Sequence, residues 1–197
     1  MEDGKQLSTI SNCPVARRME GLPLAAVAVV AAADRSITTA AESVRTAGQV
    51  SVKRFAKEFD ERGLAAVILA HLTMVEDMLN VARPMKPEAM AQLAKNVAAL
   101  LLADDMTVTM ADIRIVADRL AAGEAGQVFG GLNAPMVTKA FTDYMAEKGN
   151  AFADLREQQA KAQYGGYGER STASHDAELK KHRQAMHDYQ LGKMKNQ

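Results

Sequence analysis

The sequence predicts an all-α protein: a compact helical bundle of about five to six helices, with a loose N-terminus and a flexible C-terminal tail. Three observations carry that expectation. Apolar residues through the middle of the chain recur at helical spacing. Ala and 12 Met fill the apolar positions, while aromatics make up 5% and Trp is absent, and Ala and Met are strong helix formers. The interruptions between periodic stretches are capping residues, prolines and glycines of the kind that start and stop helices. With 48% hydrophobic and 24% charged residues in 197, the chain has a globular composition, and its length suits one domain with tails.

Residues 1–13 are polar and aperiodic and read as a disordered N-terminus. Arg17 and Arg18 ahead of the apolar run Leu22 to Ala33 imitate a secretory signal. The stretch before it is long and carries Glu2, Asp3 and Glu20, unlike a short cationic n-region, so a buried Ala-rich helix is expected instead. Residues 14–49 form an Ala-rich helical segment packing on the core, in which Ser36 can cap a second helix from Ile37. Gly48 interrupts it.

Residues 50–163 form the expected core domain. Ser51 caps a helix whose face is Val52, Phe55, Ala56 and Phe59, and Gly63 stands where a left-handed C′ residue would end it. A second, more apolar helix from Leu64 to Asn80 carries Val67, Ile68, Leu72, Val75 and Leu79 and reads as the central one. His71 within it is expected to be a satisfied, partly buried side chain. Pro84 stops that helix, and Pro87 opens the next at a position where its missing N–H costs nothing. That helix runs to about Ala103 with Met90, Leu93, Ala94, Val97, Leu100 and Leu101 inward.

Thr109 and Asp112 give a capping-box start to a fourth helix, with Ile113, Val116, Ala117 and Leu120 on its apolar face and Gly123 past its end. Arg114 and Asp118 form an i,i+4 pair on its polar side. A turn holding Gly123, Gly126, Gly130, Gly131 and Asn133 follows. Asn133 then caps a long helix opened by Pro135 and bearing Val137, Ala140, Phe141, Tyr144 and Met145. Beyond Leu155 the polar run to Gln163 is expected to fray. Residues 164–174 read as a Gly/Tyr linker, and 175–197 as a basic tail, partly helical or disordered, with Leu179, His182, Met186 and Tyr189 at helical spacing.

The charge balance disfavours direct nucleic-acid binding as the main activity, because Lys plus Arg and Asp plus Glu both number 24 and phosphate neutralisation favours a basic excess. The single cysteine, Cys13, cannot form an internal disulfide, which points to a reducing, cytoplasmic setting. The Gly123 to Gly131 segment lacks the Gly-Lys-Ser/Thr and the preceding strand of a phosphate loop. The tail histidines 175, 182 and 187 have no rigid frame to converge on a metal. No nucleophile elbow or metalloprotease motif is present. The expectation is therefore a non-enzymatic protein with no catalytic residues, cofactor, metal, membrane span or small-molecule substrate. Lys180, Lys181 and Arg183 are candidates for weak, salt-dependent nucleic-acid contact.

Four segments between Phe55 and Arg156 form a recognisable series. The helix ending at Gly63 leads to Met78-Leu79-Asn80-Val81. Met85 to Ala94 (Met-Lys-Pro-Glu-Ala-Met-Ala-Gln-Leu-Ala) follows, then Ala111-Asp112-Ile113, then Gly123-x-x-Gly126-x-x-Phe129-x-x-Leu132-Asn133 before a helix holding Tyr144. This order resembles an uncharacterised family of small helical proteins from phage and mobile-element regions of bacterial genomes. The sequence departs from the family at Ala125, Asn133 and Ala140, which stand where it looks aromatic, acidic and Trp. The resemblance implies a DNA-replication accessory, such as a helicase loader or adaptor, whose protein partner is a replicative helicase or initiator. The residues expected to bind it are Arg114, Arg119 and Lys139, read as exposed, and Gly126, Phe129 and Asn133 of the turn, since functional residues favour loops held by rigid elements. The alternative is a structural or assembly protein that self-associates through its helices.

Overall fold

A computed structural model describes residues 15, 18, 19, 21–33, 35–80, 83–104, 106–124, 126 and 131–194, with 164–179 and 183–194 described by backbone alone. The expected disordered terminus 1–13 and Phe129 lie outside the described residues, as does the side chain of Arg183. The elements are helices α1 (Leu24–Ala31), α2 (Ala40–Arg45), α3 (Val52–Leu79), α4 (Pro87–Ala103), α5 (Met110–Ala121) and α6 (Ala134–Met194). The protein is all-α, and among the described residues the one β-type pairing is an isolated bridge between Ser51 and Thr109. That bridge ties the start of α3 to the start of α5, with Val52 N–H donating to Val108 O at 2.8 Å and Met110 N–H to Val50 O at 3.0 Å.

One compact unit reaches Phe152 and a second begins at Ala153. In the first, α3 packs against α1, α4 and α5, and α2 lies on α5. The Ala-rich run that imitates a signal is α1, and its Ala26, Val27 and Val30 are buried. α4 follows its expected bounds and buries Met90, Leu93, Ala94, Val97 and Leu101. α5 is covered more completely than its expected stripe, because Ala111, Asp112 and Ile115 join Ile113, Val116, Ala117 and Leu120 in being buried. A helix buried nearly all round sits at the centre of a core, so α5 shares the central place that sequence assigned to the Leu64–Asn80 stretch.

Several boundaries differ from expectation. The second N-terminal helix starts at Ala40, capped by Thr39 and not by Ser36. Thr39 and Glu42 form a capping box, with Glu42 N–H donating to Thr39 Oγ1 at 3.2 Å and Thr39 N–H to Glu42 Oε2 at 3.1 Å. That reciprocal pair satisfies two donors, where a lone serine satisfies one.

The break near residue 60 is also displaced. Ser51 caps α3 as expected, accepting from Arg54 N–H at 3.2 Å, but Gly63 does not end it. The kink is at Asp60, with φ 62° and ψ 175°. Its carboxylate accepts from Gly63 N–H at 2.8 Å, so Asp60 acts as an N-cap inside the element and the helix resumes. Gly63 lies close against the preceding turn: a Cβ there would stand 3.2 Å from Phe59 Cβ.

α3 does end at the expected place, at Asn80 in the left-handed region with φ 47°. Glu76 then accepts from Met85 N–H at 2.8 Å and draws the following segment back.

The expected linker at 164–174 is also corrected, since the backbone stays helical through it as far as Met194. The last proline is Pro135, so nothing downstream sterically blocks a helix. Interior glycines weaken one by only about 1 kcal/mol each.

Candidate functional site

The residues expected to form a binding surface are used in three different ways. Arg114 and Arg119 are half-buried, not exposed. Arg114 donates to Asp118 Oδ2 at 2.7 Å and also to the Ile37 carbonyl, which ties α5 to the segment before α2. Arg119 grips both carboxylate oxygens of Glu147 at 2.5 and 3.0 Å, joining α5 to α6. Its guanidinium carbon lies 5.3 Å from the Tyr144 ring centroid, within cation–π range. The hydrogen bond from Arg119 holds the Glu147 carboxyl below its usual range. An arginine's long stem and planar fork suit such bridging, which is why a polar helical position read as surface became a joint between elements.

Lys139 is exposed and pairs with Asp143 one turn on. Asn133 accepts from Met136 N–H at 2.9 Å, so its side chain caps α6 as the sequence suggested. Gly126 has φ +115°, and Gly123, φ +77°, follows the end of α5. Lys180 and Lys181 are exposed on the second unit's helix.

The most concentrated polar chemistry was not legible as a site. Asp112, read as half of a capping box, is buried and accepts from four residues. Ser43 Oγ at 2.6 Å and Tyr144 Oη at 2.5 Å donate to Oδ1, while Thr109 N–H at 2.6 Å and Lys148 Nζ at 2.5 Å donate to Oδ2. Lys148 also reaches Ser43 Oγ at 3.0 Å. An ionised carboxylate offers about four lone-pair sites, and all are taken. Burial, with the Asp112 charge adding to it, pushes the Tyr144 hydroxyl far above its ordinary range and keeps it a donor.

The network thus joins α2, α5 and α6 through one carboxylate. Serine beside lysine suggests a nucleophile and base. Here the Ser43 proton goes to Asp112 and Lys148 is ion-paired, so neither is set up for that chemistry. The available signal was Lys148 itself, which continues the 137, 141, 144 apolar spacing of α6: a lysine on a core-facing stripe needs a buried partner.

Two cavities of the first unit border these residues. One, of about 310 Å³, is lined by Ser43, Thr109, Lys148, Met106 and Phe152 among others. The other, of about 390 Å³, lies along α3 at His71, Met74 and Met78. His71 is buried as expected but not satisfied, since its Nδ1 has no hydrogen-bond partner among the described residues. Burial, with the nearby Arg114 charge, pushes its pKa down to about 4.

Comparison with known proteins finds no matching family model, no matching curated protein and no matching solved structure.

Proposed function

We propose that the chain is a non-enzymatic adaptor of the DNA-replication-accessory type, acting by holding another protein, with a replicative helicase or initiator as the partner. The observation that carries the protein-binding part is the helix of the second unit. Residues 156–163 are helical with every side chain exposed. A helix polar all round is marginal in water unless it bridges to a partner or is laced by charge pairs, and the pair Lys161 to Glu157 at 2.6 Å is one such brace. Exposed Leu24, Met78 and Phe152 in the first unit add apolar contact area. The choice of a replication partner rests on the resemblance carried by the 55–156 series. Lys180 and Lys181 supply charge for weak DNA contact alongside the protein partner.

The test is affinity capture with the tagged full chain from a lysate of cells carrying its genetic neighbourhood, read by mass spectrometry, with sedimentation across a concentration series. Recovery of a helicase or initiator by a chain that stays small supports the proposal. Assembly that grows with concentration, or recovery of structural virion proteins alone, replaces it with the self-associating assembly protein.

A further inference from the structure

His71, Met74 and Met78 lie at i, i+3 and i+7 on α3 and share one face of that helix. The face is not closed by its neighbours. The cavity of about 390 Å³ beside it has Val30, Met74 and Met78 among its apolar walls, and Arg35, Arg114 and Asp118 among its charged ones. Two features there are unresolved by the fold. His71 is 3% exposed with a buried ring nitrogen that has no partner among the described residues, an arrangement that native structures rarely leave unfilled. Met78 is 63% exposed, and methionine is the adaptable residue of binding surfaces that re-pack around a ligand.

Charge decides what would fill the space. Among the described residues that line it, two arginines against one aspartate leave the charged walls net positive, which disfavours a cation. Arg114 is already committed to Asp118 and the Ile37 carbonyl, so it contributes field, and the exposed Arg35 contributes a fork that matches a carboxylate. The apolar walls disfavour a purely inorganic anion, and the size falls in the range that takes small molecules. We propose that this cavity binds a small apolar monocarboxylate, its hydrocarbon part against Val30, Met74 and Met78 and its carboxylate toward Arg35 and the His71 ring. A neutral imidazole donates one N–H, and a carboxylate accepts it.

The test is calorimetric and NMR titration of the full chain at pH 7 with octanoate, octanol and octylamine. Octanoate should bind saturably and move the His71 ring signals, and octylamine should not bind. Octanol should bind roughly tenfold more weakly or worse, the loss of one charge-assisted contact. Arg35→Ala, an exposed change that leaves the core intact, should weaken octanoate binding by a similar factor. His71→Phe, checked for folding by circular dichroism, should weaken it too. Absence of saturable octanoate binding overturns the proposal. So does equal affinity for octanol, unchanged affinity in Arg35→Ala, or NMR shifts that map away from α3.

Discussion

Lys148 and Asp112 form an ion pair between α6 and α5 with Nζ 2.5 Å from Oδ2 and side chains 5% and 1% exposed. A buried pair of this kind adds little over a well-packed apolar pair. Loss of one partner is costly, because the remaining charge is stranded away from water. Around it Ser43, Thr109 and Tyr144 complete the hydrogen bonding of the carboxylate, so the network fixes how α2 and α6 seat on α5.

Lys148→Met should therefore destabilise the protein by about 3–5 kcal/mol, measured by urea unfolding at pH 7. Tyr144→Phe, which removes one donor and leaves the cation, should cost about 1.5–3 kcal/mol. A loss below about 1 kcal/mol in Lys148→Met would show that Asp112 does not depend on the pair.

His71 makes stability pH-dependent. Its folded pKa of about 4 lies below the ordinary 6.5, so the unfolded chain takes up a proton first as pH falls. Stability from this group is full above pH 6.5 and declines between 6.5 and 4, by about 3 kcal/mol in total at 1.36 kcal/mol per unit. His71→Phe should flatten that limb and leave stability at pH 7 unchanged or raised, because a buried atom without a partner is removed. An identical acid limb in the variant, followed by thermal melts across that range, would exclude His71 as its source.

Arg119 and Glu147 give an effect of the same sign and smaller size. The Glu147 carboxyl sits below its usual 4.5 in the folded state, so its contribution is present above 4.5 and fades as pH falls through the lower folded value. Glu147 is half exposed, and screening keeps the pair within about 1 kcal/mol. Glu147→Gln should be slightly less stable than the parent at pH 7, with the difference shrinking at acid pH and in high salt. A difference that persists in 1 M salt, where the Debye length is about 3 Å, would point to packing instead.

Asp60 holds a conformation that is nearly glycine-only, at φ 62° and ψ 175°, and repays part of that strain through its bond to Gly63 N–H. Asp60→Ala keeps the strain and loses the cap, for an expected cost of about 1–2 kcal/mol. Asp60→Gly loses the cap and relieves the strain, and should be the milder change. The two melting temperatures in the opposite order would argue against a kink at this residue.

The glycine turn separates two mechanisms. Gly126→Val meets nothing within 4 Å but must hold φ +115°, so its cost, about 1 kcal/mol or more, comes from the backbone alone. Gly131→Ala would place a Cβ 2.4 Å from the Arg83 carbonyl oxygen, a clash with backbone that requires the turn to shift. Unchanged unfolding midpoints in both variants would contradict this geometry.

What the sequence determined by itself was local. Pro87, the Thr109 and Asp112 pair, Gly123, Asn133 and Pro135 set the bounds of α4 and α5 and the start of α6, and the apolar spacing named most of the core, because capping and periodicity act within a turn or two of helix. The kink at Asp60 escaped because a positive φ at a non-glycine residue follows no sequence pattern, although the bond from Gly63 N–H ties Asp60 there. Tertiary structure alone decided that Arg114 and Arg119 would be joints, that Lys148 would be buried, and that His71 would face a cavity without a partner. Those outcomes depend on contacts such as Ser43 with Asp112, 69 residues apart, and Lys148 with Asp112, 36 apart. A charged side chain on a helix reads the same whether water or a carboxylate awaits it, and only the packing of distant helices supplies one or the other.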